Sequence, residues 1–511
     1  MTKKYYNVVN EFIKRNTDDK ILNKIAFIDD STTITYKNLF VDLKKLAFSL
    51  YKIGLKKDNR ILVILEDSID FPLTFLGSIW AGIIPICVNT MLPKKDYEYM
   101  LKDSNAEAVI VSNSRYKDIK HIIKETGSKA KIIVSGKKNN TDLLLTKLIH
   151  EGEIIKAAKT SLDDICFWLY SSGSTGRPKG TLHTHKNLIS TANCYAENIL
   201  KPSSRDIFFS AAKLYFAYGL GNALTFPLSV GATSLLMAER PTPDSIMKRI
   251  KEKEPTLFFG VPTLYASLLS ENYEKEEFSS LRLGISAGEA LPGHIFEKLK
   301  SRFGITVLDG IGTTEMLHMF ISNRINKVLP GSTGYLVPGY KARLLKDDGT
   351  EADTNEIGDL EISGPTSAIG YWNKEEKTKN TFLKNWTRTG DKYIKDENGA
   401  YTYCGRSDDM MKVSGQYVSP FEVEAALQDH PSIFEAAVVA HKDKNDLIKP
   451  KAFIVLNDTY KSSKELELEL TQHVKSILTP FKYPRWYEFI SELPKTSTGK
   501  IQRFKLRDKN E

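Results

Sequence analysis

The sequence predicts an α/β protein: a large N-terminal domain of two layered α/β subdomains with a small β-rich subdomain, followed by a small α+β C-terminal domain. Three observations lead there. Short apolar runs of strand type alternate with helix-patterned stretches over residues 1 to about 160, which is the rhythm of a parallel sheet. The same rhythm returns between Ile207 and Leu308. From about Gly331 strands shorten and turn residues crowd in, and from Arg406 a compact unit of about a hundred residues begins.

In chain order, Ile61-Leu62-Val63-Ile64-Leu65 reads as a buried strand, Phe71 to Ala81 as a helix and Ile83 to Val88 as the next strand. Ala108-Val109-Ile110-Val111 and Ile132-Ile133-Val134 continue the series. Ile165-Cys166-Phe167-Trp168-Leu169 is another apolar strand, and His185 to Ile199 reads as helix. The second unit has strand candidates at Ile207-Phe208-Phe209, Thr233 to Leu236, Leu257-Phe258-Phe259, Leu283 to Ser286 and Thr306-Val307-Leu308. Between about Gly331 and Tyr403 the turns Asp347-Asp348-Gly349 and Asn398-Gly399 mark the β-rich subdomain. The last unit holds a helix near Phe421 to Leu427, strands at Ala437-Val438-Val439 and Phe453-Ile454-Val455, and a long helix from Lys464 to Leu478.

Composition narrows the function classes. The chain has 511 residues, 41% of them hydrophobic and 26% charged, so it carries a normal core and more than one domain. Its net charge of +9 comes from scattered lysines, which suits small anionic partners. No helix–turn–helix, RNP or zinc pattern supports nucleic acid. Cys87, Cys166, Cys194 and Cys404 lie far apart without a C-x-x-C, so a reducing, cytoplasmic setting is expected rather than a disulfide framework or zinc site. The N-terminus lacks the apolar stretch of a signal peptide, and the C-terminus is not a peroxisomal address. Two uncharged runs, Phe71 to Val88 and Leu214 to Ala238, are broken by Gly and Pro, so no membrane span is expected.

The stretch with the clearest chemistry is Tyr170-Ser171-Ser172-Gly173-Ser174-Thr175-Gly176-Arg177-Pro178-Lys179-Gly180. Glycines let backbone N–H groups converge on one point, the hydroxyls add donors, and Arg177 and Lys179 add positive charge. A strand, this loop and then a helix make a polyphosphate cradle. It is not a Walker A loop, because Gly176 is followed by Arg-Pro-Lys, and G-x-G-x-x-G is absent. Further along, Lys213-Leu214-Tyr215-Phe216-Ala217-Tyr218-Gly219-Leu220-Gly221-Asn222 follows a strand and opens a helix. Its aromatics could line a flat apolar acid pocket or belong to the core. It holds no Asp or Glu to bind an ammonium group, which weighs against an amino-acid substrate. Ser286-Ala287-Gly288-Glu289-Ala290-Leu291-Pro292 and Asp309-Gly310-Ile311-Gly312-Thr313-Thr314-Glu315 each end a strand. Small residues in the first would admit a planar ring, and Thr314 and Glu315 in the second offer oxygen ligands for Mg²⁺. His183 and His185 read as packing or capping groups, whereas His318, three residues after Glu315, could face the pocket.

The loop at 170–180 closely resembles the phosphate loop of the adenylate-forming enzymes, which include acyl-CoA synthetases, adenylation domains and luciferase-type enzymes. Later motifs follow that family's order over essentially the whole chain: Gly288-Glu289-Ala290, then Gly312-Thr313-Thr314-Glu315, Thr389-Gly390-Asp391, Gly405-Arg406-Ser407-Asp408, Lys412 to Pro420, and Pro494-Lys495-Thr496-Ser497-Thr498-Gly499-Lys500. Within the family the likeness is greatest to benzoate-CoA ligases, through Tyr215 to Asn222, Gly260 to Tyr265, Ser286 to Pro292 and Asp309 to His318.

The resemblance implies an ATP-dependent acid–CoA ligase that makes an acyl-adenylate and then a thioester, with ATP, Mg²⁺ and coenzyme A taking part. It implies catalytic roles for Lys500, Thr314 and Glu315. Nucleotide contacts would come from Ser171, Ser172, Gly173, Ser174, Thr175, Gly176, Lys179, Gly288, Glu289, Ala290, Asp309, Gly310, Thr314, Asp391 and Arg406. Thr175 and Glu315 would hold the metal. Phe216, Ala217, Tyr218, Gly219, Gly310, Ile311, Gly312 and His318 would line the acid pocket. Residues 1–405 would form the N-terminal domain, with the β-rich subdomain at about 331–403. Residues 406–511 would form a mobile domain turning about Asp408 and bringing Lys412, Ser414, Gly415 and Gln416 to the CoA step. The alternatives are a synthetase for a short or medium non-aromatic acid, an aryl-acid adenylase loading a carrier protein, and a non-catalytic nucleotide-binding relative.

Overall fold

Continuous apolar runs become strands covered on both faces, as parallel sheets require. The computed structural model describes residues 5–136, 143–171, 177–413, 416–444, 447–479, 481–495 and 501–507. Arg60–Ile64, Ile84–Cys87, Ala108–Ser112 and Lys131–Ser135 lie parallel in an eight-stranded sheet that also takes in Ile165–Ser171. Its neighbouring helix Asp70–Trp80 is buried from Phe71 to Trp80, so its sequence is apolar all round. That helix and the following strand occupy the first uncharged run. The second breaks into the turns and helices between Ala217 and Val230 and the strand Thr233–Leu235. No helix among the described residues is long and apolar enough to cross a membrane.

The second sheet has fourteen strands. Ile25–Ile28, Thr233–Leu235, Ile207–Ser210, Leu257–Gly260, Leu283–Ser286 and Val307–Gly312 run parallel. The direction then alternates through Met319–Ser322, Gly334–Leu336 and Ala400–Arg406 to Trp386–Lys395 and Gly358–Ser363. The β-rich stretch therefore continues the parallel sheet by hydrogen bonding, beyond the edge where Val307–Gly312 ends.

One segment departs from expectation. The sequence suggests strand, loop, helix over 165–199. The chain instead returns as a second strand, Lys179–Thr184, antiparallel to Ile165–Ser171, before the helix His185–Thr191 starts. Small and polar residues hide this strand in the sequence. It is secured by pairing on both sides, with Ile165–Ser171 on one and Gly370–Tyr371 on the other. The described residues on either side of the loop are thus the two paired strands of a hairpin. The helix beyond it also widens, with π-helical winding over Ala192–Leu200.

A smaller C-terminal domain completes the fold. Three strands, Ile433–Lys442, Ile448–Leu456 and Trp486–Phe489, carry helices Pro420–Gln428 and Lys464–Ile477. Ser419 and Ser463 cap these helices by accepting the Glu422 and Leu466 amides. A hairpin, Met411–Val413 with Gln416–Val418, packs into the same core through Met411, Val413 and Val418.

Candidate active site

Strand ends organise the site. In the second sheet Ser286 lies in register with Asp309, and Gly260 with Ser286, so the carboxyl ends of three parallel strands open at one edge. Such edges are where open α/β sheets hold ligands. Gly288, at φ 95°, turns the chain after Ser286, and Glu289 and Ala290 are half-buried beyond it. Asp309 and Gly310 are buried, whereas Ile311 is half-buried and Gly312 reaches solvent. Burial pushes the Asp309 carboxyl well above the carboxylate range, against the pull of the Leu291 and Gly310 amides.

The hairpin at 165–184 meets this edge at Glu315. Ser171 Oγ donates to Glu315 Oε1 at 3.3 Å and Tyr371 Oη donates to the same oxygen at 2.8 Å. Lys179 Nζ donates to Tyr371 Oη at 3.1 Å and stands 3.8 Å from Glu315 Oε1. Burial lowers the Lys179 ammonium pKa, and the neighbouring Glu315 opposes that shift. His183, stacked on Phe167, anchors the junction with Nε2 2.8 Å from the Thr314 carbonyl. Burial lowers its pKa to about 4. Ser172, Gly173, Ser174, Thr175 and Gly176 lie outside the described residues, but both ends of their segment are fixed. Glu315 carries oxygens and a negative charge toward a cluster that also holds a lysine and two hydroxyls. Its three contacts fall on Oε1, so among the described residues Oε2 is the oxygen left for a hard cation. No group of three or more metal-ligating side chains occurs among the described residues.

Three residues further on, the chain faces a different environment. Leu317 takes φ 63° and ψ −37°, and the His318 amide donates to the Met316 carbonyl at 2.8 Å. This is the rare positive-φ form of the γ-turn, which is strained. The reversal puts His318 beside the aromatic segment. Its Nε2 is 3.0 Å from Asn222 Oδ1, and its ring packs against Tyr195, Tyr218 and Phe226 at centroid distances of 5.2, 5.7 and 4.6 Å. Burial lowers the His318 pKa to about 3, so the imidazole is neutral. Tyr218 Oη donates to the Gly260 and Ile285 carbonyls at 3.3 and 3.2 Å, which turns its ring across the ends of those strands. Phe216 and Ala217 are half-buried at the start of the turn and Gly219 is buried within it. The resulting wall is aromatic and uncharged.

What holds that turn leaves no trace in the local sequence pattern. Asp67, just past the strand Arg60–Ile64, accepts the Leu214 amide on both oxygens at 3.1 and 3.3 Å. Lys213 is buried and donates to the Met237 and Glu239 carbonyls. Burial lifts the Asp67 carboxyl to about 6, with Lys213 pulling the other way. Tyr371 is the other unforeseen residue. It sits in a two-residue strand, Gly370–Tyr371, too short to register as periodicity.

Asp391 and Arg406 are cross-strand partners, with Arg406 Nη1 3.1 Å from Asp391 Oδ1 and 3.0 Å from the Thr389 carbonyl. Gly390, at φ 75°, permits this, since a Cβ there would lie 2.7 Å from Arg406 Nη2. The charge of Arg406 is felt by Lys179 and Tyr371, which ties this pair to the Glu315 cluster. Asp408 stands 3.8 Å from Arg406 Nε. Lys412 is not drawn into the cluster; it pairs with Asp347 at 2.9 Å. Gln416 opposes Val413 in the adjoining hairpin. Ser414, Gly415 and Lys500 lie outside the described residues. The chain on either side of 496–500 is pinned, with Lys495 bridged to Ile501 and the Gln502 amide donating to the Pro494 carbonyl at 2.8 Å.

Ser171 and Lys179 meeting Glu315 beside an uncharged aromatic wall suit an enzyme that brings a charged phosphate group next to an apolar substrate. The chain belongs to the family of AMP-binding enzymes, which it matches over residues 14–372, and its residues 422–500 match the AMP-binding enzyme C-terminal domain. Among curated relatives it is 50% identical to a benzoate–CoA ligase of Thauera aromatica over 98% of this chain and 96% of that one. It is 44% identical to a 4-hydroxybenzoate–CoA/benzoate–CoA ligase of Rhodopseudomonas palustris, over 98% and 94%. Among solved structures it superposes on a benzoate CoA ligase from Burkholderia xenovorans with a TM-score of 0.91 and 46% identity, covering 98% of this chain and all of that one.

Proposed function

We propose that the protein is an AMP-forming ligase that joins an aromatic carboxylate, benzoate or a close analogue, to coenzyme A using ATP. The observation that carries the reading is the Glu315–His318 reversal. One end of this four-residue stretch meets the phosphate-type hairpin and the other meets a neutral aromatic wall, so a triphosphate and an aryl acid would lie side by side. The whole-length likeness to relatives named for benzoate and 4-hydroxybenzoate supports the choice of acid.

In the first step a carboxylate oxygen attacks the α-phosphorus of ATP, the bond to the β-phosphate oxygen breaks, and pyrophosphate leaves. A carboxylate is a weak nucleophile facing an anion, so the enzyme contributes alignment and charge neutralisation rather than a base. In this proposal the hairpin residues from Ser171 to Lys179 hold the phosphates, Gly288 to Ala290 and Asp309 flank the adenine, and Asp391 with Arg406 holds the ribose. Glu315, with Thr175, suits Mg²⁺, which when bound neutralises the phosphate oxygens. Lys500 bridges carboxylate and α-phosphate. In the second step the CoA sulfur attacks the acyl carbon and AMP leaves with the carboxylate-derived oxygen. We assign this step to a rotation of residues 406–511 about Asp408, relative to residues 1–405, that withdraws Lys500 and brings in the segment 412–416. Buried, unpaired thiols at all four cysteines support a reducing, cytoplasmic setting.

The test is a panel of aryl and aliphatic acids scored for AMP release with and without CoA. Benzoate or a close analogue should give AMP and a CoA thioester. Turnover of aliphatic acids alone would overturn the pocket assignment, and transfer to a carrier protein instead of CoA would overturn the acceptor. Lys500→Ala should abolish adenylate formation and spare thioester formation from supplied adenylate.

A further inference from the structure

The junction between the two domains contains a compact ionic cluster that the reaction scheme does not use. Asp347 sits just past the strand Lys341–Leu345 and accepts Tyr417 Oη at 2.8 and 2.6 Å, Lys412 Nζ at 2.9 Å and Lys392 Nζ at 3.4 Å. Lys392, only 5% exposed, also binds Asp359 at 3.0 Å, and Asp359 in turn accepts Ser407 Oγ at 2.6 Å. Lys412 and Tyr417 face each other across the hairpin Met411–Val413/Gln416–Val418. Both lysine ammonium groups lie over the Tyr417 ring, at 4.8 Å for Lys392 and 4.9 Å for Lys412. Two aspartates and two lysines make the cluster neutral. Tyr417 and Lys412 hold the Asp347 carboxyl well below the usual carboxylate range.

The geometry is asymmetric about the pivot. Asp347, Asp359 and Lys392 belong to the large sheet and precede Asp408 in the chain, whereas Lys412 and Tyr417 follow it. A rotation about Asp408 must therefore break every bond between Asp347 and the hairpin. Among the described residues, the hydrogen bonds and ion pairs of Lys412 and Tyr417 go to Asp347, and none reaches Ser171, Lys179, Glu315 or Tyr371. In this arrangement Lys412 is engaged elsewhere.

We propose that Asp347 is a positioning residue: it seats the Lys412–Tyr417 hairpin in the adenylating arrangement and keeps Lys412 out of the reacting centre until the domain turns. The assignment of this arrangement to adenylation rests on the proposed two-step reaction. Lys412 and Tyr417 are then shared between two seats, and the depth of the Asp347 seat sets how much of the enzyme is poised for each step. Several charge-assisted bonds converge on one half-exposed carboxylate, so the seat is deep enough to bias the equilibrium and shallow enough to open.

The experiment compares wild type with Asp347→Ala and Tyr417→Phe in two separate half-reactions. One is acid-dependent exchange of pyrophosphate into ATP, and the other is thioester formation from supplied acyl-adenylate and CoA. Asp347→Ala should slow exchange by about fivefold, the upper end for a solvent-exposed ion pair, and leave thioester formation equal or faster. Tyr417→Phe keeps the ring and should move exchange the same way by a smaller factor. Limited trypsin cleavage after Lys412, which needs no turnover, should be faster in Asp347→Ala. An equal fall in both half-reactions, or no change in either exchange or cleavage, would overturn the proposal. Faster cleavage in a protein that makes no AMP from any acid would leave the seat standing and sink the ligase reading instead.

Discussion

Gly221→Ala tests the proposed acid-side wall most directly. A Cβ at Gly221 would lie 2.3 Å from His318 Cδ2, 2.8 Å from His318 Nε2 and 3.1 Å from Phe226 Cζ. Carbon contacts settle at about 3.5–4 Å, so the imidazole must give way by more than an ångström. It has little room, because Tyr195, Tyr218 and Phe226 enclose it. Overpacking of this kind costs about 1–3 kcal/mol. Turning the ring also strains the bond between Nε2 and Asn222 Oδ1, both buried, for a further ~1–3 kcal/mol. Alanine recovers ~1 kcal/mol over glycine in helical backbone, which leaves a net loss of about 1–5 kcal/mol. The assays are chemical denaturation and the KM values for acid and ATP. The expected result is a lower midpoint, a raised acid KM and an ATP KM close to wild type. A double-mutant cycle with His318→Ala sharpens the test: once the ring is gone, adding the methyl should cost little, giving a coupling close to the whole loss seen for Gly221→Ala alone. A Gly221→Ala enzyme as stable as wild type with an unaltered acid KM, or a cycle without coupling, would refute the packing argument.

Glu315→Gln should slow pyrophosphate exchange by about 10²-fold, since it removes the charge opposite Lys179 where phosphate charge must be managed; acid binding measured by calorimetry should change little. Acid should destabilise the fold steeply between pH 6.5 and 4. Burial lowers His183 and His185 to about 4, so the unfolded chain takes up protons first and the stability present above pH 6.5 is lost as pH falls toward 4, by roughly 3 kcal/mol per histidine. His183→Gln should flatten the denaturation midpoint against pH, and an unchanged slope would contradict the buried neutral assignment. Glu424→Gln should cost the C-terminal domain about 3–5 kcal/mol by leaving Arg503 buried without its bidentate carboxylate, read as faster proteolysis of residues 420–507 at unchanged cleavage elsewhere.

What the sequence disclosed follows from burial. Ala108–Ser112 and Leu283–Ser286 are covered on both faces, so their residues are apolar up to the closing serine and stand out as strands. Lys179–Thr184 is equally internal to its sheet, yet its neighbours supply the apolar contact, and Gly180 sits where any Cβ would strike Trp168 at 2.8 Å. A strand of mixed small and polar residues leaves no periodic trace. Ser171, Glu315 and Asp391 could be named because their motifs resemble a known order, but their meeting is long-range. Ser171 and Glu315 are separated by 144 residues, and no local pattern encodes that pairing. Tyr371 and Asp67 carry no motif at all. Each matters through hydrogen bonds with distant segments, Tyr371 to Glu315 and from Lys179, and Asp67 from Leu214.

The reversal at Leu317 links these two kinds of information. Glu315 and His318 are close in sequence, and on a regular helix they would share a face. The structure separates them: residues 314–316 form a single 3₁₀ turn, Leu317 inverts the chain, and Met319 already pairs with Gly312. A buried leucine at positive φ holds a costly backbone state that only tight surroundings maintain. What it gains is placement. The Glu315 carbonyl accepts the Ala368 amide at 2.8 Å while its carboxylate faces the hairpin, and His318 closes the aromatic wall on the other side of the turn. A shift of the turn would move both groups together, so the proposed phosphate side and the proposed acid side keep a common register. For a reaction in which one oxygen of an acid must reach one phosphorus, that shared register does more than either wall alone, and it explains why strained backbone sits between two well-packed sites and not at the surface.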